Sequence, residues 1–82
     1  MEAVSGIQQF LEFVVLGITN RPQRASVTRR EQNGAIIFDL TADGEDVPRL
    51  IGTGGGTVNA LRSLAQASAE QHGLKVSVEI AE

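Results

Sequence analysis

The sequence predicts a two-layer α+β domain, in which a three-stranded mixed sheet is covered on one face by three helices. First, apolar residues between positions 3 and 18 recur at helical spacing. Second, two alternating segments flank the pair Asn33-Gly34, and a third alternating segment lies near the end of the chain. Third, a short and a long helical pattern, separated by a run of glycines, connect the second alternating segment to the third. The predicted order is therefore α-β-β-α-α-β.

Composition limits the classes of function. The 82 residues fit one domain over residues 1–82, and 41% hydrophobic with 21% charged residues is typical of a globular protein. No cysteine is present, and the one histidine, His72, cannot form a metal site or a catalytic triad alone. The first residues, with Glu2 and no basic stretch, are unlike a signal peptide, and the apolar run 13–18 is shorter than the roughly 20 residues that span a bilayer. We therefore expect a cytoplasmic protein without a metal, a cofactor or membrane contact.

The first helix is predicted over residues 3–18. The members of its apolar stripe are Val4, Ile7, Leu11, Val14 and Ile18. Further apolar residues widen this face, namely Phe10, Phe13, Val15 and Leu16. Two interpretations are open: all of these residues cover a sheet, or Phe13 or Leu16 reaches the surface and contacts a partner.

A β-hairpin is predicted next. Asn20-Arg21-Pro22 ends the helix, because a residue before proline is disfavoured in the α region. The strands are predicted over Ala25–Gln32 and Ala35–Thr41, joined by Asn33-Gly34 in a type I′ turn. In the second strand Ile36, Phe38 and Leu40 share one face and are expected to point into the core.

Four arginines and no acidic residue lie within residues 21–30, although the net charge of the chain is −3. They are Arg21, Arg24, Arg29 and Arg30. Such a basic patch can attract an anion even to a mildly acidic protein. The alternative is that the arginines only solubilise an exposed strand.

The short helix is predicted from Asp43 or Gly44 to about Ile51, with Asp46 as a capping partner and Pro48 in the first turn. The long helix begins near Gly55 or Gly56 and stops at Gly73. Its predicted apolar face consists of Val58, Leu61, Leu64, Ala65 and Ala69. We interpret His72, in its last turn, as structural.

The last strand, Leu74–Ala81, alternates strictly between apolar and polar residues. The two-helix crossover allows it to lie parallel to the second strand, through a right-handed connection.

Four glycines lie within five positions in the segment Leu50–Val58. They come just before a helix, where free N–H groups and the helix dipole favour an anion such as phosphate. A tight turn that needs glycine for its geometry alone is the alternative. A nucleotide-binding enzyme is not supported, because no strand leads directly into the glycines, no Gly-Lys-Ser/Thr follows them, and no general base is evident.

Ile51-Gly52-Thr53-Gly54-Gly55, set between two helices, resembles the I-G-x-x-G signature of KH domains, and the element order is similar to the type II arrangement. The chain is most similar to the small bacterial single-KH-domain RNA-binding proteins of the KhpA/YlqC group. The resemblance covers nearly the whole chain. The residues that carry it outside the loop are Leu11-Glu12-Phe13-Val14-Val15, Asn20-Arg21-Pro22, Glu45-Asp46, Leu50, Thr57, Ala60-Leu61-Arg62 and Val76-Ser77-Val78-Glu79-Ile80.

The resemblance implies non-catalytic binding of single-stranded RNA, as in an RNA chaperone, with a G-x-x-G loop clamping the RNA backbone beside an apolar groove. The implied clamp consists of Gly52, Thr53, Gly54 and Gly55. The implied groove residues are Ile51, Val58, Leu61 and Ile37, and the implied phosphate partners are Arg49 and Arg62.

The loop departs from the family pattern, because its two variable positions, Thr53 and Gly54, include no Lys or Arg, and Gly56 replaces a commonly basic residue. Each missing cation removes a charge-assisted contact to phosphate, so we expect weak RNA binding. The alternative function is a protein-interaction KH module that forms a homodimer or docks on a larger RNA-binding partner protein.

Overall fold

The computed structural model describes residues 2–81. Its helices and strands are α1 (Glu2–Ile18), β1 (Ser26–Gln32), β2 (Ala35–Thr41), α2 (Val47–Ile51), α3 (Gly56–Glu70) and β3 (Val76–Ala81). Single 3₁₀ turns occur at Pro22–Arg24 and Thr53–Gly55. The predicted α-β-β-α-α-β order is confirmed. In this part of the chain no helix combines the length and the hydropathy that crossing a bilayer requires.

The sheet has the strand order β1-β2-β3. β1 is antiparallel to β2, and β2 is parallel to β3, so the predicted mixed sheet is confirmed. Asn33 and Gly34 have φ of 53° and 80°, the two positive values that a type I′ turn requires. β2 is the central strand, because both of its edges are hydrogen-bonded to neighbours.

The core lies between one face of the sheet and the helices. Phe38 and Leu40 of β2 are fully buried there, as predicted, together with Val78 of β3. The helical residues of the same cluster include Leu11, Val15, Leu50, Leu61 and Ala65. Every helix therefore places apolar side chains against the same face of the sheet. Helices on one side and the sheet on the other are the two layers that the sequence predicts.

The opposite face of the sheet is polar. Arg30 Nε donates to Asp39 Oδ2 at 2.8 Å, and Arg30 Nη2 lies 3.5 Å from Glu79 Oε1. The hydrogen bond from the Arg30 guanidinium to Asp39 raises the pKa of Arg30. Ile37 lies directly opposite Arg30 in the register and is 7% exposed. The arginine stem can cover this isoleucine while its charged end stays in water.

Two predicted details, one in α3 and one at the start of β3, are wrong. Leu64, predicted on the apolar face of α3, is 56% exposed. Leu64 is rotated by about 100° around the helix axis from its buried neighbour Ala65, so it lies at the edge of that face. Leu74 precedes β3, which begins at Val76, because the Leu74 N–H donates to the Ala69 carbonyl oxygen at 2.9 Å and stays in the turn that ends α3.

Asp46 does not cap α2 with its side chain, contrary to the sequence prediction. Its carboxylate is buried and accepts the N–H of Asn20 at Oδ1 and the N–H of Arg21 at Oδ2, each at 3.0 Å. The hydrogen bond from Asn20 lowers the pKa of Asp46, although burial acts in the opposite direction. Asp46 therefore joins the end of α1 to the start of α2.

Candidate functional site

The glycine loop begins at Gly52, which caps α2 with φ 77° and ψ 172°. A Cβ atom at this position would lie 2.6 Å from the backbone nitrogen of Thr57. Both the positive φ and the close approach of α3 require glycine here. Gly52 is therefore required for the loop to fold, whether or not the loop binds a ligand.

The other glycines differ in what they require. Gly54 and Gly55 have φ of 61° and 80°, which side chains rarely adopt. A Cβ atom on Gly54 would meet nothing within 4 Å, whereas one on Gly55 would lie 3.2 Å from Asn59 Nδ2. Gly56 has helical torsion angles and open space around it. The loop backbone is therefore open to solvent at Gly54 and tightly folded at its two ends.

The loop closes on itself through few hydrogen bonds. The Gly52 N–H donates to the Pro48 carbonyl oxygen at 2.9 Å, and the Gly55 N–H donates to the Gly52 carbonyl oxygen at 3.2 Å. Within residues 2–81, no hydrogen bond outside the regular helices and strands uses the N–H of Thr53 or Gly54. The first turn of α3 also carries N–H groups without an intrahelical acceptor. The loop can therefore present several backbone donors to one anion, at the positive end of a helix dipole.

Two arginines lie close to this loop in the sequence, in different settings. The Arg49 side chain is 54% exposed, and its Nε lies 3.7 Å from Asp46 Oδ1. Arg62 is half-buried: its Nε donates to the Val78 carbonyl oxygen at 2.9 Å, and its Nη1 donates to Asn59 Oδ1 at 3.0 Å. Arg62 thus joins α3 to β3.

The apolar residues predicted for the groove are only partly brought together. Ile51, at the end of α2, is 39% exposed, whereas Val58 and Leu61 are buried on α3. Ile37 does not belong to this group, because strand alternation places it on the sheet face away from the helices. The sequence prediction placed one face of the second strand, around Ile37, beside the groove, whereas Ile37 lies on the face of the sheet opposite to the helices.

The strand beside α3 is β3, and its outer edge is the part of the site that the sequence prediction missed. Among residues 2–81, β3 pairs with no strand except β2, so the backbone groups on its other edge have no strand partner. The Val78 carbonyl oxygen lies on this edge and accepts a hydrogen bond from Arg62 Nε. Strand order determines which edge is free, and no local sequence pattern reports strand order.

The basic patch of residues 21–30 is largely neutralised. Arg21 and Arg24 lie 3.7 Å and 3.5 Å from Asp43 Oδ2, and Arg30 pairs with Asp39. Arg29 has no carboxylate within 4.0 Å among residues 2–81. The arrangement favours the interpretation that these arginines stabilise and solubilise the surface, at the modest strength of exposed ion pairs.

The loop offers binding groups rather than reactive ones. Among residues 52–56 only Thr53 has a side chain, and the charged residues nearest to this loop in the sequence are Arg49 and Arg62. Residues 2–81 contain no group of three His, Cys, Asp or Glu side chains that could hold a metal ion. The geometry is suited to holding an anionic backbone against N–H donors.

A family model described as "KhpA/KhpB, KH domain" matches residues 8–80. The chain is 32% identical over 76 residues to the RNA-binding protein KhpA of Chlamydia muridarum, covering 93% of this chain and 97% of that protein. It is 30% identical over 73 residues to the RNA-binding protein KhpA of Treponema pallidum, covering 89% and 91% of the two chains. No solved structure matches the chain. The chain belongs to the KhpA/KhpB family of KH domains.

Proposed function

We propose that this protein is a single KH domain that binds single-stranded RNA without catalysis, by clamping the RNA backbone on the loop Gly52–Gly55. The open loop carries the proposal: among the residues that the structure describes, none accepts the N–H of Thr53 or Gly54, and a Cβ atom on Gly54 would have no neighbour within 4 Å. Two relatives of this chain, from Chlamydia muridarum and Treponema pallidum, are named RNA-binding proteins. We also propose that this protein acts in the cytoplasm.

In this proposal, phosphate oxygens accept the loop N–H groups, and the bases extend into the groove between α3 and the free edge of β3. Ile51 and Val58 supply apolar surface at the start of this groove. Arg49 is the exposed cation beside the clamp, and its flexible side chain can follow a phosphate. Ile37, on the other face of the sheet, has no part in it.

The RNA affinity is expected to be low. Thr53 and Gly54 bring no positive charge to the clamp, and the whole chain carries a net charge of −3. Hydrogen bonds between neutral donors and phosphate are weaker than those of Lys or Arg. The dependence of binding on salt should be shallow for the same reason, since few counterions are displaced.

The test is a variant with Thr53→Asp and Gly54→Asp, titrated against fluorescent mixed-sequence single-stranded RNA. Two carboxylates in the clamp should repel phosphate and abolish binding, while circular dichroism stays that of the wild type. The matched control, Gln9→Glu with Gln71→Glu, adds the same charge at exposed positions away from the loop. Equal RNA affinity of all three proteins would exclude the loop as the clamp.

A second candidate function is association with another copy of this chain through α1. Phe13 is 80% exposed, and Leu16 and Leu64 are 45% and 56% exposed. A groove of about 390 Å³ opens between α1 and α3, lined by Ala3, Gly6, Ile7, Phe10, Leu64, Ala65, Ser68 and His72. Gly6, Phe10, Phe13 and Gly17 recur at spacings of four, three and four residues, so they share one face of α1.

This surface favours a homodimer because, among residues 2–81, the groove is lined by no Asp, Glu, Lys or Arg side chain. In a two-fold symmetric dimer each residue meets a copy of the same surface, so charges there would repel their own kind. The glycines allow the helices to approach closely, and Phe13 of one protomer can enter the groove of its partner. RNA binding and dimer formation use different faces of the domain, so the two functions are compatible.

A further inference from the structure

We propose that the outer edge of β1 binds an extended peptide of a partner protein, which adds a fourth strand to the sheet. The peptide places an apolar side chain in a groove beside this edge and an acidic side chain next to Arg29. The strand order puts β1 and β3 at opposite edges of the sheet, so this site is separate from the loop and groove assigned to RNA. Three features carry the inference: the backbone groups of the edge, the groove and the charge of Arg29.

The backbone groups at the outer edge of β1 belong to every second residue. Gln32 and Ala35 flank the two-residue turn as a hydrogen-bonded pair. From there, hydrogen-bonded and non-hydrogen-bonded pairs alternate along the antiparallel ladder. The N–H and carbonyl groups of the non-hydrogen-bonded residues point away from β2, and on β1 these residues are Val27, Arg29 and Glu31.

Two hydrogen bonds agree with this assignment. The N–H of Ile36, which lies opposite Glu31, donates to the Lys75 carbonyl oxygen at 2.9 Å and so points away from β1. The Val27 carbonyl oxygen accepts Gln8 Nε2 at 3.0 Å, so a side chain of α1 covers the edge at this residue. Among residues 2–81, the outward N–H and carbonyl groups of Arg29 and Glu31 have no hydrogen-bond partner. These four groups are the ones that a further strand needs.

A groove of about 360 Å³ opens beside these groups. Its lining residues are Val4, Arg29, Arg30, Glu31 and Ile36. Val4 is buried and Ile36 is half-buried, so the floor of the groove is apolar and its rim is charged. Arg29 and Glu31 alternate with Val27 of the core and therefore lie on the helix-covered face of the sheet. Residues directly opposite each other on neighbouring strands share a face, so a peptide residue opposite Glu31 would point towards this groove.

Arg29 determines the charge that the edge prefers. Among residues 2–81 no carboxylate lies within 4.0 Å of its guanidinium, whereas Arg30, on the other face, pairs with Asp39. Opposite charges on neighbouring strands attract each other. In an antiparallel peptide, the residue opposite Arg29 follows the residue opposite Glu31 by two positions and shares its face. The preferred peptide therefore has an apolar residue followed two positions later by Asp or Glu.

A second copy of this chain fits the edge less well than such a peptide. A two-fold antiparallel pairing of two β1 strands, centred on Arg29, Arg30 or Glu31, would place that residue opposite its own copy. Like charges directly opposite each other are destabilising. In the pairing centred on Arg30, the groove would also receive only the charged side chains of Arg29 and Glu31.

The experiment uses a fluorescent, end-blocked peptide of the sequence threonine-leucine-threonine-glutamate-threonine, with leucine intended for the position opposite Glu31 and glutamate for that opposite Arg29. Binding, followed by anisotropy, should slow amide hydrogen exchange at Arg29 and Glu31 in NMR spectra. N-methylation of the peptide glutamate, whose N–H faces β1, should weaken binding by at least about 2-fold, because one hydrogen bond is lost. N-methylation of the central threonine, whose N–H points away from β1, is the matched control and should leave binding unchanged. Serine in place of leucine should weaken binding.

A charge exchange tests the role of Arg29. Arg29→Glu should weaken binding of the glutamate peptide by about 2- to 5-fold and should strengthen binding of the same peptide with lysine in place of glutamate. Lys75→Glu makes the same change of charge at an exposed position before β3 and should alter neither affinity.

The inference is wrong if the peptide does not bind at millimolar concentration, if the two N-methylated peptides lose affinity equally, or if Arg29→Glu keeps the wild-type charge preference. Slow exchange at Arg29 and Glu31 that appears without peptide and increases with protein concentration would identify a second copy as the occupant, and this result would also overturn the inference. The proposed RNA binding is measured with RNA alone, so it stands or fails independently of these results.

Discussion

Gly52 and Thr57 approach each other so closely that a Cβ atom on the glycine would lie 2.6 Å from the threonine backbone nitrogen. The contact joins the end of α2 to the first turn of α3, and it fixes the two ends of the loop between them. The exposed residues of the loop, Thr53 and Gly54, are therefore held at a set distance from the start of α3. Preorganised donors of this kind bind an anion without first having to be ordered.

Replacement of Gly52 by alanine should therefore distort the loop. The methyl group would collide with the backbone of α3, and its φ of 77° disfavours alanine, so the free energy of unfolding should fall by more than about 1 kcal/mol. Gly56→Ala is the matched control, because Gly56 has helical torsion angles and open space. It should raise stability by about 0.4–1 kcal/mol. Urea denaturation measures both, and equal effects of the two variants would contradict the loop geometry.

Asp46 should make the free energy of unfolding depend on pH in the acidic range. Its hydrogen bonds from Asn20 and Arg21 lower its pKa in the folded state, so the stabilisation is complete above the unfolded-state pKa of about 3.9 and is lost as pH falls through the folded-state pKa. Wild type should therefore lose stability steeply on acidification below about pH 4.

Asp46→Asn should be less stable than wild type at pH 7 and should show a flatter acid limb, since an amide accepts only one of the two backbone N–H groups without a clash. Glu45→Gln, at an exposed neighbouring position, should keep the wild-type pH profile. Thermal denaturation between pH 2.5 and 7 provides the comparison. Parallel curves for wild type and Asp46→Asn would show that this carboxylate is not the titrating group.

Phe13→Lys should lower the apparent mass in light scattering. Phe13 is 80% exposed, so lysine there costs little folding energy but places like charges face to face in a two-fold dimer. Gln66→Lys, on another exposed face of α3, should leave the mass unchanged. Leu16→Lys should also lower the apparent mass, and by less than Phe13→Lys if Leu16 lies at the rim of the dimer interface. A wild-type protein that is monomeric at every concentration would rule out this association.

Much of the fold follows from local patterns in the sequence. Three features are encoded within a few neighbouring residues: the type I′ turn at Asn33-Gly34, the alternation of β2 and the glycines before α3. The structure has all three where they were predicted. Asp46 was misassigned because its partners, Asn20 and Arg21, are distant in sequence, and the capping pattern is only a local preference.

The site was less predictable than the fold. The glycine loop could be located from its spacing, but the placement of Ile37 depended on which face of the sheet the helices cover. Arg62 was expected to face phosphate because it is close to the loop in sequence. Its hydrogen bond to Val78 joins residues that are 16 positions apart, and such a contact depends on how α3 packs along β3.

The central claim, that the loop holds phosphate, is tested most directly by Thr53→Lys. A lysine at this exposed position would supply the cation that the loop lacks, and each neutralised phosphate on a single strand adds about 0.7 to the slope of log affinity against log salt. The variant should therefore bind mixed-sequence single-stranded RNA more tightly than wild type at low salt, with a slope steeper by about 0.7 and a gain that shrinks as salt rises. Superimposable salt titrations of wild type and Thr53→Lys would contradict the claim that this loop contacts the RNA backbone.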